Sequence, residues 1–174
     1  SAIYSDLRTI GASLRRPLFA GIANAEIGYF DSKDDSSGTN PFIDNSEMRF
    51  LIGYEQELLP DLSLGMQYYV SWMQDYQNYE ANLPLGMAKR NEARHMITSR
   101  LTWLTHSQNV TWSLFSFYSP SDTDAYFRPK VSYKVTDNWL VELGGSFFVG
   151  EKKSSFFGQF ETNNNLYGAV RFSF

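Results

Sequence analysis

The sequence predicts an all-β protein, an antiparallel up-and-down transmembrane β-barrel, and three observations carry that expectation. Apolar residues recur with period two over most of the chain. The connections between the alternating runs are short and long by turns. Aromatic residues make up 17% of the chain, and many lie near the ends of the runs. A strand sends successive side chains to opposite faces, so period two gives a sheet with one apolar and one polar face.

The clearest alternation runs from Leu62 to Trp72. There Leu62, Leu64, Met66, Tyr68, Val70 and Trp72 share one face, and Ser63, Gly65, Gln67, Tyr69 and Ser71 share the other. It returns in the last ten residues, where Leu166, Gly168, Val170, Phe172 and Phe174 alternate with Asn165, Tyr167, Ala169, Arg171 and Ser173. Read in this way the chain holds nine strands, at 4–15, 22–30, 48–58, 62–73, 94–104, 109–118, 126–135, 139–149 and 165–174. Most have the ~9–11 residues that a tilted strand needs to cross a bilayer. In the sixth, Phe115 and Phe117 fall on the polar face, which implies either a bulge or a packed interior.

Short connections are expected at Arg16–Gly21, Leu59–Asp61, Thr105–Gln108 and Thr136–Asn138, and longer ones at Asp31–Glu47, Gln74–Ala93, Ser119–Ala125 and Gly150–Asn164. Tight periplasmic turns and long external loops sort in this manner in membrane barrels. With the last strand ending in the periplasm, the first runs inward from outside. Nine is odd, whereas complete bacterial barrels have an even number of strands. The expectation is that residues 1–174 form one barrel segment, the C-terminal part of a larger barrel closed by further N-terminal strands or by a second chain; the alternative is a strand missed in the count, within the long 74–93 connection.

Composition narrows the classes. A net charge of −4 does not suggest a nucleic-acid partner. The absence of cysteine suits an unstapled protein that crosses an oxidising compartment. The opening SAIYSDLRT lacks the apolar core of a secretory signal, as a processed or truncated chain would. Unbroken apolar runs reach only three residues, as at Phe50–Ile52, against the roughly 20 of a membrane helix.

The placement of rings separates a membrane barrel from a soluble one. Tyr29, Tyr54, Trp72, Trp103, Trp112, Tyr118, Trp139 and Phe174 share the apolar parity near strand ends, where an aromatic girdle meets the lipid–water boundary. The opposite parity carries charge at membrane depth: Arg15, Arg49, Arg94, Arg100, Lys130, Lys134 and Arg171, against Glu26, Glu55 and Glu142. These are expected to line the lumen. They are read equally as cross-strand ion pairs that brace a narrow barrel and as a basic lining that favours anions. Asp31, Asp34, Asp35, Asp44 and Glu47 make the first long loop acidic. Their spacing lacks a calcium-loop pattern, so solvated charge is expected and no metal or other cofactor.

The chain closes on Tyr167-Gly-Ala-Val-Arg-Phe172-Ser-Phe174. This resembles the C-terminal signal of outer-membrane proteins, an amphipathic strand ending in an aromatic residue. The resemblance implies recognition by the outer-membrane assembly machinery through Tyr167, Phe172 and Phe174. The usual glycine position falls on Ala169, with Gly168 one place early. From about Arg94 to Phe174, most of all in FFGQFETNNNLYGAVRFSF, the chain resembles the C-terminal part of porin-like barrels of Gram-negative bacteria. That resemblance implies an outer-membrane location in contact with the lipid bilayer, and names no solute.

The function expected is passage of small solutes, with a weak preference for anions. The alternative is a barrel whose lumen is plugged and which serves a structural or partner-holding role. No enzyme is expected. His106 falls in a short turn. His95 shares its parity with Ser99, but four residues along a strand span about 13 Å, too far for a nucleophile and its base.

Overall fold

A computed structural model describes residues 5–150 and 155–174. Among these residues the chain forms nine strands in one antiparallel sheet: β1 (Leu7–Leu18), β2 (Gly21–Ser32), β3 (Glu47–Leu59), β4 (Leu62–Met73), β5 (Ala93–Thr105), β6 (Val110–Ser119), β7 (Asp124–Lys134), β8 (Trp139–Gly150) and β9 (Asn165–Phe172). Each strand pairs with its neighbours in sequence, so the topology is purely up and down. A short helix α1 (Tyr76–Asn82) lies between β4 and β5, and a 3-10 turn spans Gly158–Asn163.

The bounds of β4 coincide with the sequence reading, and the other described strands differ by a few residues at their ends. The expected start of the first strand at Tyr4 lies outside the described residues. One connection differs in kind. The sequence predicts a long link between β6 and β7, but β7 begins at Asp124, which leaves four residues, Pro120–Thr123. That is no longer than the turn 106–109 at the opposite end. Thr123 turns the chain with φ 54°, and Asp122 is held by the Ser119 hydroxyl at 3.2 Å.

Register fixes which side chains share a face, because a slip of one residue would exchange the faces. The ladder runs without a shift from β1 to β3 and from β4 to β7. The one irregularity between β3 and β4 lies at Glu57/Leu59, beside the Pro60–Asp61 turn. No shift occurs in β6, so the polar-face position of Phe115 and Phe117 is real, and of the two expectations the packed interior holds.

Nearly all exposed large apolar side chains of the strands fall on one face: Ile10 and Leu14 of β1, Ile52 of β3, Met66 of β4, Leu114 of β6, Val141 and Leu143 of β8, and Val170 of β9 among them. The opposite face curls around a polar cavity. The sheet thus carries its oily surface outward and has little apolar core of its own.

Candidate functional site

The inner face is set by a row of paired residues across mid-sheet. Glu55 of β3 pairs with Gly65, Gly65 with Arg100, Arg100 with Phe115, and Phe115 with Arg128. The Glu55 side chain lies beside Gly65, where a Cβ would meet Glu55 Cγ at an ordinary contact distance of 3.6 Å. The Arg100 guanidinium stands 5.9 Å from the Phe115 ring centre. The row therefore carries one carboxylate and two arginines, mid-strand in β5–β7 and nearer the short turn in β3 and β4.

Above it, towards the end with the longer loops, a cavity of about 740 Å³ opens between β3–β6 and three connections. Glu47, the first residue of β3, organises its rim. Its carboxylate accepts from Ser71 Oγ at 2.8 Å and from Arg49 Nε at 3.0 Å, and lies 3.4 Å from Arg90 Nη2. Arg90 also donates to Asp44 at 2.8 Å. Arg94 donates to Asp122 at 2.7 Å, and Asn91 donates to the Ser121 carbonyl at 3.1 Å. The Asn78 side chain donates to the Ser37 carbonyl at 2.8 Å, and the Asn45 side chain to that of Gln74 at 2.9 Å. Three successive loops are thus tied into one rim by hydrogen bonds from side chains to backbone.

The loop before β9 turns inward over this face. Phe157 is only 6% exposed. Its ring packs on Phe117 at 5.3 Å and Tyr126 at 5.6 Å, and Tyr126 stacks on Phe148 at 4.7 Å. Gly150 and Gly158 allow the close approach, because a Cβ on Gly150 would stand 2.8 Å from Gly158 Cα. Asp124, 1% exposed, accepts from the Phe157 backbone N–H at 2.7 Å. Phe156 projects into the cavity, with Arg94 5.2 Å from its ring centre.

Every charged residue expected on the polar face lies there by register: Arg15, Glu26, Arg49, Glu55, Arg94, Arg100, Lys130, Lys134, Glu142 and Arg171. The same face also carries Arg128, Glu47, Glu57 and Asp124, which the sequence reading left out. The count becomes eight basic to six acidic groups, so the basic excess falls from four to two. Lys130 pairs with Glu142 at 3.2 Å and Lys134 with Asp137 at 3.0 Å. Arg15, Arg100, Arg128 and Arg171 have no ion-pair partner among the described residues.

The aromatic residues Tyr29, Trp72, Trp103, Trp112, Tyr118 and Trp139 are exposed on the outward face, as is Phe174 beyond β9. Tyr54 also points outward and donates to the Leu18 carbonyl at 3.2 Å. At the C-terminus Phe172 packs on Trp139 at 4.9 Å, while Tyr167 takes the inner face beside Gly144. His95 faces outward, its Nδ1 2.6 Å from Tyr68 Oη. Ser99 instead shares a 2.5 Å hydrogen bond with Ser116.

In the acidic loop the carboxylates cap the backbone. Asp35 accepts from the Asn40 N–H at 2.6 Å and from Ser37 Oγ at 3.1 Å. Burial alone would raise its carboxyl, but hydrogen bonds from the Asn40 and Thr39 backbone and the Ser37 and Thr39 hydroxyls outweigh that and hold it below the ordinary value. A lowered pKa stabilises the loop above the unfolded carboxylate range, and that support is lost as pH falls through the folded value. Amide exchange in 33–46 is therefore expected to rise below about pH 4 in an otherwise folded protein. In Asp35→Asn it should be raised already at neutral pH and respond less to acid. Equal acid response in both chains would remove Asp35 from this role.

Neither a protein-family model nor a curated protein matches the sequence. The fold is similar to that of a solved structure described as "KdgM porin in complex with disordered oligogalacturonate", with a TM-score of 0.46 and 14% identity, over 98% of this chain and 77% of that one.

Proposed function

We propose that this chain is the C-terminal part of an outer-membrane β-barrel that passes small solutes, with a weak preference for anions. The observation that carries the reading is the segregation of the two faces. A water-soluble protein does not expose a continuous girdle of large apolar side chains, whereas lipid requires one. The charged groups collect instead around the cavity, where water reaches them.

The two edges supply the argument for a larger barrel. β1 pairs only with β2 and β9 only with β8 among the described residues, and both edge strands run towards the short turns. An antiparallel closure between two edges of one direction takes an odd number of added strands. Two copies of this sheet would meet in two parallel seams, so further strands of the same protein fit better than a second copy. Such edges cannot stay open in lipid, because each unpaired backbone group there costs several kcal/mol.

The selectivity reading rests on Arg15, Arg100, Arg128 and Arg171, the inner-face cations that make no ion pair among the described residues. Field lines focus in a low-dielectric tube, so unpaired cations there raise local anion concentration. Planar-bilayer reversal potentials in a salt gradient should show a small anion preference in the complete barrel. Arg100→Ala with Arg128→Ala should move it towards cations, and Arg171→Ala should do so less, since it lies near the short-turn end. A potential unchanged by the mid-height pair would remove it from selectivity.

A second reading, a plugged barrel with a structural or partner-holding role, draws on the inward turn of the loop before β9. Absence of any conductance in the complete barrel would favour it.

A further inference from the structure

The outward face of β1–β3 holds a groove of about 540 Å³ near the short-turn end. Register explains it. Leu14 pairs with Ala25 and Ala25 with Ile52, and one step on Arg16 pairs with Ala23 and Ala23 with Tyr54. Twice in succession the outward side chains read long, small, long across three strands. Leu14 and Leu18 make one wall, Ile52 and Tyr54 the other, and two alanines the floor. Tyr54 reaches across Gly21 of β2 to donate from Oη to the Leu18 carbonyl of β1, so its ring closes the groove at the short-turn end.

We propose that this groove holds one acyl chain of a bilayer phospholipid, with the lipid phosphate on Arg16. The proposal rests on the membrane reading above. An empty trough facing lipid would forfeit dispersion contacts along its whole length, and a flexible chain fills it without strain. Arg16 lines the groove at the end where a headgroup would emerge, and it has no hydrogen bond or ion pair among the described residues. A guanidinium binds a phosphate through two parallel hydrogen bonds. Charge complementarity therefore selects a lipid phosphate rather than another apolar protein surface, and the apolar walls select a lipid rather than free phosphate.

The test is native mass spectrometry of the full-length protein, folded in detergent with phosphatidylglycerol, with heat-modifiable migration as the folding control. The wild type is expected to retain one phosphatidylglycerol. Ala25→Phe fills the groove from outside the sheet, and should lower the retained fraction by about tenfold; Arg16→Gln should lower it severalfold. Diacylglycerol, which has the chains without the phosphate, should be retained less than phosphatidylglycerol by the wild type and alike by wild type and Arg16→Gln. Equal phosphatidylglycerol retention in wild type and both variants overturns the proposal. So does a dimer that Ala25→Phe disrupts, since a second copy would then cover the groove. Insertion into vesicles without lipid retention overturns this proposal alone, whereas failure to insert at all overturns the membrane reading too.

Discussion

Leu143→Arg is expected to abolish assembly of the barrel. Leu143 is 58% exposed, lies in the first half of β8 and pairs with Val131 and Gly168, well away from either strand end. Its neighbours on the outward face, Val141 and Val170, are also exposed. In water an exposed leucine tolerates arginine. In lipid the same change costs about 2–4 kcal/mol near the midplane, because the guanidinium leaves water without a partner. That is a large fraction of the total stability of a typical domain. The expected readout is loss of the heat-modifiable folded band and of membrane-inserted protein. The control is one residue away. Glu142→Gln changes the inner face and loses an ion pair with Lys130 that is partly exposed, worth about 0–1 kcal/mol. It should assemble normally. Normal assembly of Leu143→Arg would overturn the assignment of the outward face to lipid, and with it the channel reading.

Period two made this much of the fold legible. Alternation sorts the side chains between two faces, and the ten charged residues expected on one face share it in the register of the sheet. What escaped the sequence reading has physical reasons. Arg128 has the same parity as Lys130, but Pro129 lies between them and the β7–β8 ladder skips both 128 and 129, so the run looks broken there. Glu47 belongs to a run of acidic loop residues and reads as one of them, yet it opens β3 and holds three partners. The link between β6 and β7 reads as long because polar, turn-forming residues extend into the strands on both sides: Ser119 and Asp124 are polar but almost wholly buried. The inward loop left two separate traces. Phe115 and Phe117 violate the polar parity of β6, and Phe156 and Phe157 stand in a polar connection. Each is odd alone. Together they are the two sides of one contact, which alternation cannot reveal because it describes only neighbours within a sheet.

Phe157→Ala is expected to raise the conductance of the complete barrel. The loop before β9 is held over the inner face chiefly by the buried Phe157 ring, with Phe160 on Phe148 at 5.6 Å and the Asn164 side chain accepting from the Phe148 N–H at 2.7 Å. Phe157 touches Phe117, Tyr126 and Phe148, and its N–H is the one described donor on Asp124. Truncating a buried phenylalanine costs about 3–5 kcal/mol. The strand ladders on either side are untouched, so undocking of the loop limits the cost to the loop itself and spares the sheet. Concentrated in one loop the loss exceeds what local packing returns, so the loop is expected to leave the inner face while the sheet stays folded. Single-channel recordings in planar bilayers should then show a larger unitary current in Phe157→Ala than in the wild type, with unchanged heat-modifiable migration. Phe156→Ala separates release of the loop from mere widening of the mouth. Its ring is half exposed, meets Arg94 and packs edge-on against Phe157 at 4.9 Å without touching the strands' aromatic rings, so its loss should weaken docking less and raise the current less. Asp124→Asn keeps the hydrogen bond to the Phe157 N–H and should resemble the wild type. A current in Phe157→Ala equal to the wild type, with the sheet intact, would show that the narrowest point of the pore lies elsewhere, at the row of Glu55, Arg100 and Arg128.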